Sequence, residues 1–193
     1  DRLEGEDGDD VLLGGDDDDT AFGGEGSDQI GGDAGDDMLF GEGGIDFLLG
    51  GDRIDILDAG DGDDDLDGSA GNDLLFGGQG NDVARGGTGD DSIEGGDGND
   101  KLLGEDGVDI LDGQGDNDEV DGGAGDDILS GGAGNDILKG REGDDVLTGG
   151  DDDDIFFFEA GDGADVVTDF DLSLDFVQID VTGVETIGDL TIT

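Results

Sequence analysis

Apolar residues return every nine positions along most of this chain, and aspartate keeps the same beat two residues ahead of them. Cut from Gly5 in steps of nine, residues 5–157 fall into seventeen nonapeptides without insertion or deletion. The first three read GEDGDDVLL, GGDDDDTAF and GGEGSDQIG, and the last reads GGDDDDIFF. The eighth position is apolar in every one, from Leu12 to Phe156, and the sixth is Asp in every one, from Asp10 to Asp154. Asp1 and Leu3 hold these two positions in the tail of a preceding repeat. The first position is Gly in sixteen, with Ala59 the exception. The fourth is Gly in thirteen, the exceptions being Asp17, Arg53, Asp116 and Asp152, and the fifth is Asp or Asn in thirteen.

A helix needs apolar residues near a 3.6-residue period, and a nine-residue step turns successive apolar residues about 180° apart. Glycine at positions one and four also costs a helix roughly 1 kcal/mol each. Asp-x-apolar-x alternates instead, which predicts a strand of about three residues. The Gly-Gly-x-Gly-x ahead of it supplies positive-φ residues for a tight turn. Each nonapeptide therefore reads as one turn and one short strand. Two nonapeptides make an 18-residue coil with strands on opposite sides, and repeat k lies over repeat k+2. Position eight points inward, while positions seven and nine point outward. The expected class is all-β.

Composition narrows the chemistry. Asp and Glu number 59 against 6 Lys and Arg, a formal net charge of −53. Such a surface repels phosphates, so nucleic-acid binding through a basic face is excluded. With no Cys and no His, the chain has no disulfide, no zinc-thiolate site and no ordinary general base. The five Ser have no His to activate them, and no catalysis is expected within these residues. No apolar run approaches the ~18–20 residues of a membrane span, and no basic and apolar leader opens the chain. Because a repeat is under way at Asp1, the expectation is a piece of a longer protein. Leu, Ile, Val and Phe total 50 residues, above the ~20% level at which disorder is the default.

GGQGNDVAR, GGDGNDKLL, GGAGDDILS and GGAGNDILK share the pattern GGxGxDxUx, which resembles the calcium-binding nonapeptide of the repeats-in-toxin (RTX) family. The resemblance covers residues 1–157. It implies a parallel β-roll, a right-handed solenoid of 18-residue coils, with Ca²⁺ between stacked turns. The implied ligands are the carboxylates of Asp1, Asp10, Asp19, Asp28, Asp37, Asp46, Asp55, Asp64, Asp73, Asp82, Asp91, Asp100, Asp109, Asp118, Asp127, Asp136, Asp145, Asp154 and Asp165. Turn carbonyls complete the set, among them those of Gly15, Gly24, Gly26, Gly78, Gly80, Gly87, Gly89, Gly96, Gly98, Gly123, Gly125, Gly132 and Gly134. Position two is Gly in only ten repeats; Glu6, Asp33, Ser69 and Arg141 there still offer a carbonyl. Position-five Asp and Asn read as turn formers rather than ligands.

The donor chemistry points to the same metal. Ca²⁺ takes six to eight hard oxygens in flexible geometry, whereas Mg²⁺ demands a tighter octahedron. Zinc and copper would want His or Cys. Stacking k on k+2 gives about fifteen sandwiched sites, and fifteen ions would bring −53 to −23. The family resemblance also implies export through a type I secretion machinery and a secreted, extracellular or cell-surface location.

Register breaks after Phe157. Residues 160–167 read as one more degenerate repeat, displaced by two, with Asp154 and Asp165 eleven apart. Asp169-Phe170 and the alternating Val177, Ile179 and Val181 predict longer amphipathic strands, and Val184, Ile187, Leu190 and Ile192 continue the pattern. Residues 158–193 are thus expected to form a β cap on the open end of the roll. The leading expectation is a calcium-dependent folding and export module. Two alternatives stand beside it: a structural or adhesive surface element, and the C-terminal module of a secreted protease, lipase or epimerase whose catalytic domain lies upstream. Position seven of the even repeats (Thr20, Met38, Ile56, Leu74, Ser92, Ile110, Ile128 and Val146) is mostly apolar, with Phe22, Phe40 and Phe76 at position nine. These residues are either ordinary strand formers or an exposed stripe that docks a partner or a second copy.

Overall fold

The computed structural model describes residues 1–179 and 191–192. Every regular element among them is a strand, and the strands form two parallel sheets. The eleven-stranded sheet runs from Arg2–Asp7 through Thr20–Gly26 and Met38–Gly44 to Val146–Asp151, Val166–Val167 and Thr191–Ile192. The ten-stranded sheet runs from Val11–Asp16 through Gln29–Ala34 to Ile155–Phe158 and Phe176–Ile179. The chain alternates between the two sheets, so each strand residue that pairs within the repeats does so with the one eighteen positions on. Leu66 pairs with Ala84, which pairs with Leu102. This is the expected all-β roll of 18-residue coils.

One expectation about the strands is corrected. They are mostly six residues long, not three, and run from position seven of one nonapeptide to position three of the next, as in Leu74–Gln79. Pairing holds at positions seven to nine, passes over position one, and resumes at positions two and three. Position two makes this feasible, because its left-handed φ returns the backbone to the ladder. All ten glycines there have φ between 101° and 122°. The seven non-glycine residues there sit at 71–81°, the region that an L side chain tolerates. The true turn is only positions four to six. Within it the position-four amide reaches the position-three carbonyl of the next coil, as from Gly80 N to Asp97 O at 2.8 Å.

The core is a double file of single residues. Position eight is buried in every repeat from Ala21 to Phe156, with Leu3 and Leu12 packed more loosely at the N-terminal end. Positions seven and nine face out as expected. Ile110 and Ile128 are about half exposed, at 51% and 50%. Exposed apolar residues are not confined to that sheet, however, because Val11, Phe47 and Ile137 point outward from the other. The ten-stranded sheet also carries most of the cations. Arg85 pairs with Asp65, Lys101 and Lys139 with Glu119, and Arg141 with Asp121 and Glu159.

Beyond Phe158 the stack continues with altered spacing. Val166 and Val167 pair with Val146 and Leu147, twenty residues back, which fits the displaced repeat. Phe176–Ile179 pairs with Ile155–Phe158 at a spacing of twenty-one. Asp169 and Phe170 are not in a strand, contrary to expectation. Asp169 instead takes the amides of Gly149 and Gly150 on its two carboxylate oxygens, at 3.0 and 2.9 Å. That holds Phe170 against Phe156, ring centroids 5.9 Å apart, at the end of the core file. Val181, Val184, Ile187 and Leu190 lie outside the described residues. For Ile192 the structure describes the backbone pairing with Val167.

Candidate metal centre

Position six sits where the turn becomes strand, and its side chain folds back under the turn instead of pointing to solvent. Each of these carboxylates from Asp19 to Asp154, and Asp165, is buried. Asp10 is half-buried and Asp1 is exposed, its backbone nitrogen donating to Asp19 Oδ1. The two oxygens of each buried carboxylate have different surroundings. Oδ1 accepts the backbone amide of the position-six Asp one coil earlier, as from Asp64 N to Asp82 Oδ1 and from Asp82 N to Asp100 Oδ1, both 2.8 Å. The bond recurs at every eighteen-residue step from Asp10 N to Asp154 Oδ1. Oδ2 of all sixteen, Asp19 through Asp154, is buried with no hydrogen-bond partner.

A buried, partnerless anionic oxygen costs several kcal/mol unless something positive meets it. The position-six carboxylates from Asp37 to Asp165 feel this directly. Burial is the largest cause pushing them above the ordinary aspartate range, the amide bond from the coil before pulls back, and in all but Asp136 neighbouring carboxylates push further up. Asp73, Asp82, Asp118 and Asp127 reach about 7, and Asp55, Asp64, Asp91, Asp145 and Asp154 about 6.

Backbone oxygens gather beside the orphaned ones. A Cβ placed on Gly68 would lie 2.6 Å from Asp73 Oδ2 and 2.7 Å from the Gly86 carbonyl. One on Gly77 would lie 2.6 Å from Asp82 Oδ2 and 2.5 Å from the Gly95 carbonyl. The carbonyls of positions two and four rise from the coil before, Gly60 O beneath Gly78 and Gly62 O beneath Gly80, with Oδ1 rather than Oδ2 the carboxylate oxygen nearest position four. Among the described residues no three acidic side chains converge. Each level therefore offers one free carboxylate oxygen and a set of carbonyls, which is a hard, all-oxygen donor set suited to Ca²⁺. The residues fit the ion: Oδ2 of the position-six aspartates with carbonyls of the glycine turn would hold it.

The expected carbonyl donors Gly15, Gly24, Gly26, Gly78, Gly80, Gly87, Gly89, Gly96, Gly98, Gly123, Gly125, Gly132 and Gly134 all adopt positive φ. Position-five side chains are exposed and build a ladder of their own. Asn81, Asn99, Asn117 and Asn135 each accept the backbone and side-chain amides of the next or give theirs to the one before, as from Asn117 Nδ2 to Asn99 Oδ1 at 3.0 Å. That is a structural role, in keeping with turn formation. Two features escaped the sequence reading. The position-one carbonyl of one coil and Oδ2 of the coil before both face the same position-one Cα, and their signal was the most regular glycine of the repeat. Asp175 takes the position-six place over Asp154, whose amide it accepts at 3.3 Å; Asp175-Phe176-Val177-Gln178 has the Asp-x-apolar-x pattern without a glycine turn before it.

A comparison with curated proteins finds no match. The family model described as the RTX calcium-binding nonapeptide repeat matches residues 1–30, 13–48, 40–75, 49–84, 76–111, 85–120, 103–138 and 130–167, spans that run together from residue 1 to residue 167. The matched spans cover the stacked turns, their buried aspartates and the first displaced repeat, and the chain belongs to the RTX calcium-binding nonapeptide repeat family.

Proposed function

We propose that this calcium-binding β-roll is a folding switch: expanded where calcium is scarce, folded outside the cell, and serving as the stability and export module of a type I secreted protein without a reaction of its own. The observation that carries the reading is the two columns of orphaned Oδ2 atoms, eight on each side of the roll. A chain of net charge −53 cannot bring these carboxylates into one stack while all are ionised. Calcium, when bound, supplies the offsetting positive charge. The chain's own residues then do the rest: Oδ1 takes the amide of the coil before, position eight closes the core, and position two returns the strand to its ladder. Each level orders its neighbour, so the transition is steep. Sites of this extracellular type bind at roughly 10⁻⁴–10⁻³ M, far above cytosolic calcium. An expanded chain suits passage through a narrow secretion conduit.

Circular dichroism and small-angle scattering during a calcium titration test this. We expect an expanded chain in excess chelator, a steep gain of β structure near millimolar calcium, and little response to magnesium. A complete β spectrum in chelator would overturn the switch.

A further inference from the structure

Position one is glycine in sixteen repeats for reasons of space, since none of those glycines has a positive φ. A Cβ on Gly50 would fall 2.6 Å from Asp55 Oδ2 and 2.8 Å from the Gly68 carbonyl, closer than a side-chain carbon can approach. Among the seventeen in-register repeats Ala59 alone has that Cβ, and it is fully buried. Its carbonyl keeps the ordinary place, 2.5 Å from where a Cβ on Gly41 would lie. By the register of the coils its methyl is directed at Asp64 Oδ2, which has no partner, and at the Gly77 carbonyl. The backbone stack is unbroken there. Asp46 N reaches Asp64 Oδ1 at 2.7 Å, and Asp64 N reaches Asp82 Oδ1 at 2.8 Å. Only the oxygen-lined side of the level is filled with carbon.

Three further departures crowd the same stretch. Arg53 is the only cation at position four, where other repeats have Gly or Asp. It brings a fixed positive charge into a turn that would hold a dication, and it makes no ion pair among the described residues. Ile45 and Ile54 stand at position five, 61% and 56% exposed. They offer no oxygen to the amides of Asp63 and Asn72 one coil on, whereas Asn81 N finds Asp63 Oδ1 at 2.8 Å. Both edges of the roll thus lose the position-five ladder at neighbouring repeats.

We infer that Ala59 disables the calcium cradle of its own level, making a seam that divides the roll into two blocks with separate calcium-driven folding steps. The block after the seam carries the Asn81–Asn135 ladder and orders at lower calcium than the block before it. This inference rests on the calcium-driven folding proposed above.

The test compares the full chain with Ala59→Gly and Gly77→Ala, by ion counting in equilibrium dialysis and by hydrogen exchange at graded calcium. Ala59→Gly should bind one more ion per chain, and its two protection steps should merge into one. Gly77→Ala puts the same methyl against Asp82 Oδ2 at a residue whose φ suits alanine; it should bind one ion fewer and split the block after the seam. If Ala59→Gly matches the parent in ion count and in steps while both fold on calcium, the seam is overturned. If neither chain folds on calcium, the folding reading itself has failed. Should Gly77→Ala not fold at saturating calcium, the Ala59→Gly comparison decides alone.

Discussion

The repeat body and the C-terminal end use the same aspartate differently. In the body, position-six Oδ1 takes an amide and Oδ2 is left bare, from Asp19 to Asp154. At the end, Asp165 still accepts Asp145 N at 3.1 Å, but its second oxygen is not among the orphaned ones. Asp175 has both oxygens occupied, Oδ1 by Asp154 N and Oδ2 by Asp171 N at 2.7 Å. The inward residue also persists, as Val167 and then Val177. Stacking and offering a bare oxygen to a cation are therefore separable duties of one side chain. The first needs only an amide acceptor and an apolar neighbour two residues on. The second is confined to the unbroken nine-residue register: Asp165 follows two positive-φ glycines, Gly161 and Gly163, yet lies past the point where that register breaks.

The largest effect that would test this division is that of pH on the calcium-free chain. The folded roll holds Asp73, Asp82, Asp118 and Asp127 near 7, against about 3.9 in an unfolded chain. Between roughly pH 4 and pH 7 the folded state thus binds more protons, so its stability falls as pH rises through that window. In chelator, we expect β structure and compaction at pH 4.5 relative to pH 7.5, with protected amides concentrated in the body. In saturating calcium the sign reverses, because the ligands must be deprotonated. A chelated chain equally expanded at both pH values would mean that carboxylate burial is not what calcium relieves.

Next in size is the contrast between Asp118→Asn and Asp175→Asn. Asparagine at 118 keeps an acceptor for Asp100 N, now at 2.8 Å, but replaces the bare oxygen with an amide nitrogen. The calcium midpoint should rise about tenfold, equivalent to ~1.4 kcal/mol, with a normal β spectrum at saturation. At 175 the same change should move the midpoint less than twofold. Equal shifts in the two titrations would erase the distinction between body and end. The smallest effect concerns Gln114, held at φ 73°. Gln114→Gly removes a strain of roughly 1 kcal/mol but adds comparable chain entropy to the unfolded state, so the midpoint should stay within about twofold.

The nine-residue beat was enough to place the core and the register. Leu66 over Leu48, and Asp82 bonded to Asp64 and Asp100, lie where the period puts them. The glycine pair misled about strand length, because glycine reads as a turn residue unless its φ is known. The space in front of the position-one Cα is bounded by the aspartate five residues on, folded back under the turn, and by a carbonyl one coil away, and neither placement can be read from a single nonapeptide. Asp169 and Phe170 read as a strand from apolar alternation, but the free amides of Gly149 and Gly150 compete for that carboxylate and bend the chain. Asp175 is the plainest omission: with no glycine turn ahead of it, four residues are too short a pattern to stand out.

A chain whose nonapeptides rest on the next but one also has a rule of inheritance. Losing eighteen residues shortens the roll by one step of ~4.8 Å and leaves every other residue on its own sheet. Losing nine hands all downstream residues to the opposite sheet. Ile110 and Ile128 would then stand on the side where Lys101 and Glu119 now pair. The outward surfaces would be spliced mid-length while the interior noticed nothing, since position eight is apolar on both sides. Variation in the length of such rolls should accordingly accumulate in whole coils, and copy number should be passed on in pairs.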